Sequence, residues 1–455
     1  MEIIKEFWII GLWGERNYHL IFEDGKLIMV GENGSGKSTV LRIVYYTLSK
    51  KWNKLAQEDF KKIRIILENE EKEFTKEQLG KPEEYTLEVD SKLISRLPIP
   101  IRRRCKEIIE EGGMPDDVLE LISHVKFSNS SRYNKEIKKI KEELSLIVPD
   151  SVRDISNWID RYLSQATLYM PTYRRIEKNP ELKNETIYPN RYRTFHRHNS
   201  NIEKMEISHI GMNDVESAIQ DLIEDIRIQY ARSSAQLNLN CFKGILTQDF
   251  QNMQIIIPKE YREAENIEII FESLNEDELS NEDKEQIKHR LIDIIEKTET
   301  NNEYDKIVIY YYDMLIKRYD NLKKTEDKLE HFFYVCNQYL TGKEFVYKPK
   351  SFEYTINVES RSGKIKEINI EQLSSGEKQI VALFSYIYLY VKKPCIMIID
   401  EPELSLSVEW QERILEDIVE CTKCDQLVVA TQSPFVYDNT LISYAHAMDE
   451  FLTVE

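Results

Sequence analysis

Short runs of alternating or apolar residues occupy the first 30 positions of this chain of 455 residues. They extend over Ile3 to Ile10, Tyr18 to Phe22 and Leu27 to Val30, which predicts three strands of a small antiparallel sheet. Glu23 to Gly25 precedes the last run and has the composition of a turn. The chain therefore begins with a β-rich lobe.

The pattern changes after about residue 50. Charged sequence with helical period predicts helices over 51–165 and again over 179–343. Within the second stretch, amphipathic helices are expected at 279–299 and 303–340, where apolar residues recur three and four positions apart. They predict a short helical hairpin and no more, because coiled-coil arms need many more heptads.

Three nearly continuous apolar runs predict buried strands of a parallel sheet, at Ala166 to Met170, Cys395 to Ile399 and Leu427 to Ala430. In such sheets the carboxyl ends of the strands are where ligands bind. Alternation from Phe352 to Val358, followed by a turn at 360–363, predicts a further hairpin.

Composition narrows the class of protein. The chain is 41% hydrophobic and 31% charged, and it contains no apolar run of about 18 residues, so no membrane-spanning segment is expected. The N-terminus lacks a signal-peptide layout, and six scattered cysteines suit a reducing cytoplasm. A net charge of −18 argues against indiscriminate coating of nucleic acid. A local basic groove stays compatible with it, because salt screens charges beyond roughly 8 Å.

The segment from Gly31 to Thr39 fits the phosphate-binding pattern G-x-x-x-x-G-K-[ST] between a strand and a helix. Glycines let successive N–H groups turn inward around an anion, and the helix adds its positive dipole end. Lys37 is expected to bridge the β- and γ-phosphates of ATP, and Ser38 to ligate Mg²⁺. The expected nucleotide-binding residues of this P-loop are Asn33, Gly34, Ser35, Gly36, Lys37, Ser38 and Thr39.

A second anion-binding turn is predicted ahead of the apolar helix that starts near Ile380. Ser374, Ser375 and Gly376 place small residues, hydroxyl groups and free N–H groups at a helix start. A capped helix that binds no ligand is the alternative.

Acidic and polar residues follow two of the buried strands. Asp400 suits a ligand of Mg²⁺, and Glu401 is placed to polarise the attacking water. After the strand that ends near Ala430, Gln432 offers a hydrogen-bond donor but no titratable group.

These motifs, in this order, resemble those of ABC-type ATPases of the SMC/RecF/OLD branch. The resemblance implies an α/β P-loop NTPase head with a large α-helical insertion. The implied head comprises 1–50, 166–178 and 344–455, and the implied insertion comprises 51–165 and 179–343.

The same resemblance assigns roles across two subunits. The signature turn at Ser374 to Gly376 is implied to bind the γ-phosphate of ATP held by the P-loop of a second copy, so ATP and Mg²⁺ lie inside a homodimer or higher homo-oligomer. Ser405 falls in the implied D-loop. Gln432 stands where the family usually has a histidine that contacts the γ-phosphate, which casts doubt on vigorous hydrolysis.

The strand that ends at Met170 continues into Arg174 and Arg175, where the family usually presents a Q-loop glutamine. Three interpretations remain open: an approach to the nucleotide, a coupling of the site to the insertion, and pairing with Glu177. The basic and aromatic segment beyond is equally open between phosphate or nucleic-acid binding, an exposed loop and protein docking. Its residues are Lys178, Lys183, Tyr188, Arg191, Tyr192, Arg193, Phe195, Arg197 and Lys204.

The wider pattern is similar to stand-alone ATPases of bacterial anti-phage defence, such as those of the Septu and PARIS systems. It implies a cytoplasmic ATPase that senses a phage protein or nucleic acid and controls a separately encoded effector, a nuclease or toxin. The nuclease domain that OLD proteins carry after the ATPase is not expected in this chain, because only a short segment follows Pro434. Two other functions stay open: a RecF- or SMC-like ATPase that clamps DNA, and an ATP-locked scaffold with little turnover.

Overall fold

The computed structural model describes residues 3–80, 102–103, 105–106, 149–171, 204–206, 211–252, 257–274, 279–296, 302–359, 363–391, 393–421 and 423–453. They form two compact units, a head from 1–211 and 374–455 and a helical unit from 212–373. The described strands are β1 (Ile4–Leu12), β2 (Arg16–Ile21), β3 (Lys26–Val30), β4 (Lys62–Leu67), β5 (Glu70–Thr75), β6 (Ala166–Met170), β7 (Lys204–Glu206), β8 (Lys343–Lys348), β9 (Glu353–Glu359), β10 (Ile365–Ile368), β11 (Cys395–Asp400), β12 (Cys424–Thr431), β13 (Ala445–Ala447) and β14 (Leu452–Thr453).

The described α-helices are α1 (Lys37–Leu48), α2 (Trp52–Gln57), α3 (Lys76–Leu79), α4 (Asp150–Tyr162), α5 (Met212–Leu246), α6 (Asp249–Asn252), α7 (Ala264–Glu272), α8 (Asn281–Glu296), α9 (Glu303–Asn337), α10 (Ser375–Ser385) and α11 (Val408–Val419). Short 3₁₀ turns lie at Lys259–Arg262, Ile370–Gln372, Pro434–Val436, Ile442–Tyr444 and Met448–Phe451, and a π-helical turn at Tyr386–Tyr390.

A six-stranded sheet forms the centre of the head, in the order β13-β3-β12-β11-β6-β7. Every pairing in it is parallel, and β6 and β11 are buried along their whole length. This confirms the strands predicted from the three apolar runs. It corrects the assignment of Leu27 to Val30 to the small antiparallel sheet, because β3 pairs with β12 and β13 instead.

The second sheet of the head is antiparallel, in the order β14-β2-β1-β4-β5. Its strands β4 and β5 contradict the helices expected over 51–165, since residues 62–75 form a hairpin that pairs with β1. Alternate residues of β4, Ile63, Ile65 and Leu67, are fully buried and share one face of the strand. The core that they join also contains Val40 and Val44 of α1 and Ile398 of β11.

One buried side chain connects the two sheets of the head. Gln426 of β12 accepts a hydrogen bond from the Ile4 backbone N–H at 2.9 Å and donates one to the Ile4 carbonyl at 3.0 Å. The amide thus satisfies a donor and an acceptor that β1 presents at its buried start.

The helical unit contains a pair of 35-residue helices, α5 and α9. Thr325 of α9 bonds to Gln229 of α5 at 2.9 Å, and Arg318 of α9 bonds to Ser234 of α5 at 2.7 Å. A later residue of α9 therefore contacts an earlier residue of α5, so the two helices are antiparallel. The helices expected at 279–299 and 303–340 are confirmed as α8 and α9. The expectation of a short hairpin and no more is wrong, because α5 and α9 are each roughly 52 Å long. None of the described helices combines the length and apolarity that crossing a bilayer requires.

Strands β8, β9 and β10 form a small antiparallel sheet that belongs to the helical unit. Phe345 of β8 stacks on Phe333 of α9 with 5.0 Å between ring centroids. Its backbone N–H bonds to the Asn337 side chain at 2.8 Å. The hairpin predicted near Phe352 therefore belongs to the helical unit. The predicted boundary at residue 344 assigned it to the head instead.

Candidate nucleotide-binding site

The register of the parallel sheet brings together segments that are far apart in sequence. Val30 pairs with Thr431, and Ala430 pairs with Asp400. The P-loop, Glu401 and Gln432 each follow one of these strand ends, so they leave the same edge of the sheet. That edge is where ligands bind in parallel α/β folds.

The P-loop passes from β3 into α1 through Gly36, which has a φ of 100°. Only glycine adopts such a backbone conformation without strain. A β-carbon at Gly36 would also lie 2.6 Å from the indole ring of Trp13. Thr39 in the first turn of α1 accepts a hydrogen bond from the Arg42 guanidinium at 3.4 Å.

Lys37 is buried although it carries a charge, with 4% of its surface exposed. Its ammonium group donates to the carbonyl of Gly31 at 2.5 Å and to that of Glu32 at 2.9 Å. These two bonds hold the charge over the start of the loop. The first-turn N–H groups of α1, which have no partner within the helix, add to the positive potential there.

Ser38 and Asp400 are 362 residues apart in sequence, and the Ser38 hydroxyl donates to Asp400 Oδ1 at 3.1 Å. Asp400 is 2% exposed at the end of β11. A hydroxyl and a carboxylate are the hard oxygen donors that Mg²⁺ prefers in nucleotide sites. The pair therefore fits the metal role expected of both residues.

Glu401 directly follows this carboxylate in a left-handed conformation with a φ of 50°. Its backbone N–H donates to the Ala430 carbonyl at 2.8 Å. Burial raises the pKa of Glu401, and Asp400 and Glu403 raise it further, whereas Lys37 lowers it. The strained backbone and this cluster of acids are typical of a functional position.

A pocket of about 480 Å³ lies between the P-loop and Gln432, lined by Val30, Gly31, Glu32, Asn33 and Gln432. Of the expected P-loop residues, Asn33 is in this lining. The Ser35 hydroxyl is buried without a hydrogen-bond partner in the described part of the chain. Gln432 and the P-loop thus line the same pocket, and contact of Gln432 with a terminal phosphate stays a prediction.

The signature turn is a capped helix start. The Ser374 hydroxyl accepts from the Glu377 N–H at 3.4 Å, and the Glu377 carboxylate accepts from the Ser374 N–H at 2.7 Å. A β-carbon at Gly376 would lie 3.1 Å from the Ser405 carbonyl, so this glycine permits close approach to the predicted D-loop. Ser375 is exposed at the first position of α10.

The signature turn lies against the predicted D-loop at Ser405 and contributes no described residue to the lining of the P-loop pocket. No residue from 374 to 379 is among the described residues that line the pocket. Arg174 and Arg175, with the basic segment that follows them, lie outside the described residues. The structure thus brings together the P-loop, Asp400, Glu401 and Gln432.

Two residues near this site were missed by the sequence reasoning. The indole of Trp13 is 42% exposed beside the P-loop, with the Arg16 guanidinium 5.5 Å from its ring centroid. Glu403 is buried and binds the backbone of Gln432. The available signal for Trp13 was a tryptophan in a short turn between strands. For Glu403 it was a third acid close behind Asp400, the last residue of β11, and Glu401.

Residues 247–438 match the family described as "AAA domain, putative AbiEii toxin, Type IV TA system". The match includes the signature turn, β11 and Gln432, and it excludes the P-loop. No curated protein has significant sequence similarity to the chain.

Two solved structures are similar over most of the chain. The Smc head domain of Pyrococcus furiosus with an extended coiled coil, bound to the C-terminal domain of ScpA, shares 12% identity at a TM-score of 0.34, covering 98% of this chain and 93% of that one. The SmcHead bound to the C-winged helix domain of ScpA shares 12% identity at a TM-score of 0.32, covering 95% and 91%. Structural similarity at this level is too weak to support an argument. The identification rests instead on the AAA match and the site geometry, and the chain is a P-loop ATPase with an α/β head and helical insertion.

Proposed function

We propose that two copies of this chain enclose two ATP·Mg²⁺, and that this dimer is the nucleotide-controlled switch of an anti-phage defence system. The observation that supports the dimer is that the signature turn, an exposed and capped helix start, contributes none of the described residues that line the pocket beside the P-loop. The turn has a helix N-terminus, an exposed Ser375 and a close-packed Gly376. A second copy would bring these groups to a triphosphate that one chain covers on one side only.

Within each site, Lys37 would move its ammonium group from the loop carbonyls to the β- and γ-phosphates. Ser38 and Asp400 would hold Mg²⁺, which supplies positive charge to the phosphate oxygens when bound. Glu401 would accept a proton from the attacking water, and Gln432 would donate its amide to the terminal phosphate. ATP then stabilises the dimer by mass action, because it binds the closed form better than the separate chains.

The defence role is supported by the resemblance of the motifs and by the description of the matching family as a putative toxin of a Type IV TA system. On this proposal a separately encoded effector, a nuclease or toxin, is held or released according to nucleotide state. The trigger is a phage protein or nucleic acid. Direct clamping of DNA is the alternative, and the net charge of −18 would confine it to a local basic groove.

Mixing two inactive variants tests the shared site. Lys37→Ala removes the phosphate-binding cation, and Ser375→Glu places a carboxylate where the partner's phosphate would lie while keeping the Ser374–Glu377 cap. Each variant alone is expected to release little phosphate and to remain monomeric with ATP. An equal mixture forms heterodimers with one intact site, and should recover up to about a quarter of the unmodified rate.

The controls separate binding from assembly. Ser375→Glu should still bind ATP at its own P-loop, whereas Ser351→Glu, which changes an exposed serine of the helical unit, should behave as the unmodified chain. If Ser375→Glu dimerises and hydrolyses ATP normally, the shared site is refuted. The defence role is tested by expressing the chain with its neighbouring genes and counting phage plaques, since Lys37→Ala must abolish any protection.

A further inference from the structure

Glu403 is a buried acid that neither the P-loop nor the metal pair uses. It lies three residues beyond Asp400 and is 8% exposed. Its Oε1 atom accepts a hydrogen bond from the Gln432 backbone N–H at 2.9 Å. Acids at this depth are rare unless a specific partner or a function retains them.

The second oxygen of Glu403 makes this position costly. Oε2 is buried and has no hydrogen-bond partner among the described residues. A buried acceptor left unpaired destabilises the folded state, so packing alone does not explain a carboxylate here. The stabilising contact that the Glu403 carboxylate does make is its hydrogen bond to the Gln432 backbone.

The turn that carries Gln432 is also fixed on its other side. The Ser433 hydroxyl donates to Gln411 Oε1 at 2.7 Å, and the Thr431 hydroxyl accepts from the Ser433 N–H at 3.0 Å. Both contacts hold residue 433, and Glu403 holds residue 432 itself. With its backbone held in this way, Gln432 is one of the residues that line the pocket beside the P-loop.

We propose that Glu403 is a positioning residue that holds Gln432 against the terminal phosphate and thereby lets the site distinguish ATP from ADP. The proposal rests on the proposed function, in which the γ-phosphate enters this pocket. The amide of Gln432 can donate to an oxygen that ADP lacks. A hydrogen bond to a charged group of this kind favours ATP by about ten- to a hundredfold.

The test measures dissociation constants for a non-hydrolysable ATP analogue and for ADP, and compares their ratio between variants. Gln432→Ala should lower the preference for the triphosphate at least tenfold. Glu403→Ala should lower it by a similar factor and leave ADP binding within about twofold. Glu403→Gln keeps a carbonyl oxygen at the same place and should retain most of the preference.

Two further variants make the comparison specific. In the double variant Glu403→Ala with Gln432→Ala, the preference should equal that of Gln432→Ala alone, because Glu403 acts through Gln432. Glu409→Ala removes an exposed acid from α11 and should change nothing. Glu403→Asp withdraws the acceptor by one methylene and should also lose preference, which keeps the test valid if Glu403→Ala misfolds.

The outcomes distinguish the two levels of the proposal. If the unmodified chain binds no ATP, the proposed function fails and this inference fails with it. If Gln432→Ala loses the preference while Glu403→Ala and Glu403→Asp keep it, Glu403 does not position Gln432 and only this inference is overturned. An equal loss of ATP and ADP affinity in Glu403→Ala would likewise overturn it, since that result marks a purely structural role.

Discussion

Gln426 is expected to be the costliest buried polar side chain to replace in the head. Its amide bonds to both the N–H and the carbonyl of Ile4, and Gln426 is 1% exposed while Ile4 is fully buried. In Gln426→Leu the volume is nearly kept, but both backbone groups of Ile4 lose their partner in a site that water does not reach. The change therefore isolates the hydrogen bonds from packing.

The magnitude follows from those two groups. Each buried backbone group left unsatisfied costs about 1–3 kcal/mol, and the added apolar burial of leucine returns about 1 kcal/mol. The two groups together cost about 2–6 kcal/mol, so a net loss of about 1–5 kcal/mol in the free energy of unfolding is expected. Gln426→Glu should cost more, because a carboxylate oxygen would then face the Ile4 carbonyl.

Tryptophan fluorescence during urea denaturation measures this loss selectively. All five tryptophans of the chain belong to the head, so their signal reports its unfolding. Gln165→Leu is the matched control, since that amide makes an exposed bond to Asp425 at 3.2 Å and its loss should stay within about 0.5 kcal/mol. Equal destabilisation by Gln426→Leu and Gln165→Leu would refute the reasoning.

Two further predictions concern the nucleotide site. Glu401→Gln should keep ATP binding, lower phosphate release by about 10²- to 10⁴-fold and enrich the ATP-bound dimer in light scattering; an unchanged rate would remove Glu401 as the water-activating group. Trp13→Ala should weaken ATP and ADP by the same factor, about five- to a hundredfold in a competition assay, because a stacked base contributes about 1–3 kcal/mol. Inorganic tripolyphosphate is the control ligand for Trp13→Ala, and a matching loss of its affinity would show that the indole supports the loop and not a base.

The parts of the fold that the sequence predicted are those with local signals. A strand, a glycine-rich loop and a helix follow one another within about twenty residues around Lys37, and the local composition of each segment predicts its structure. The hairpin at 62–75 was mistaken for helix because its outward positions, such as Lys62 and Arg64, are charged, and only Ile63, Ile65 and Leu67 mark the buried face. The segment forms a strand because it pairs with β1. The local sequence pattern does not predict that pairing.

The long pairing of α5 with α9 was missed for a related reason. Buried apolar residues of α5 recur at helical spacing as far as Ile226, and the next one, Leu237, follows a polar stretch around Ser233. That polar stretch packs through hydrogen bonds, since Ser233 and Ser234 both accept from Arg318. A hydrophobic pattern detects packing only where the contact itself is apolar.

The segment that follows β11 contacts both the backbone of Gln432 and the signature turn. Glu403 holds the backbone of Gln432, and Gln411 bridges from the Ser433 hydroxyl to the Leu406 carbonyl at 3.0 Å. Ser405, next to Leu406, lies against Gly376 of the signature turn. In the proposed dimer, a phosphate bound at Gln432 and a phosphate of the partner's ATP at Gly376 would bias the same segment. Such coupling is reciprocal, so occupancy of one site should raise affinity at the other, and ATP binding by the dimer should be cooperative.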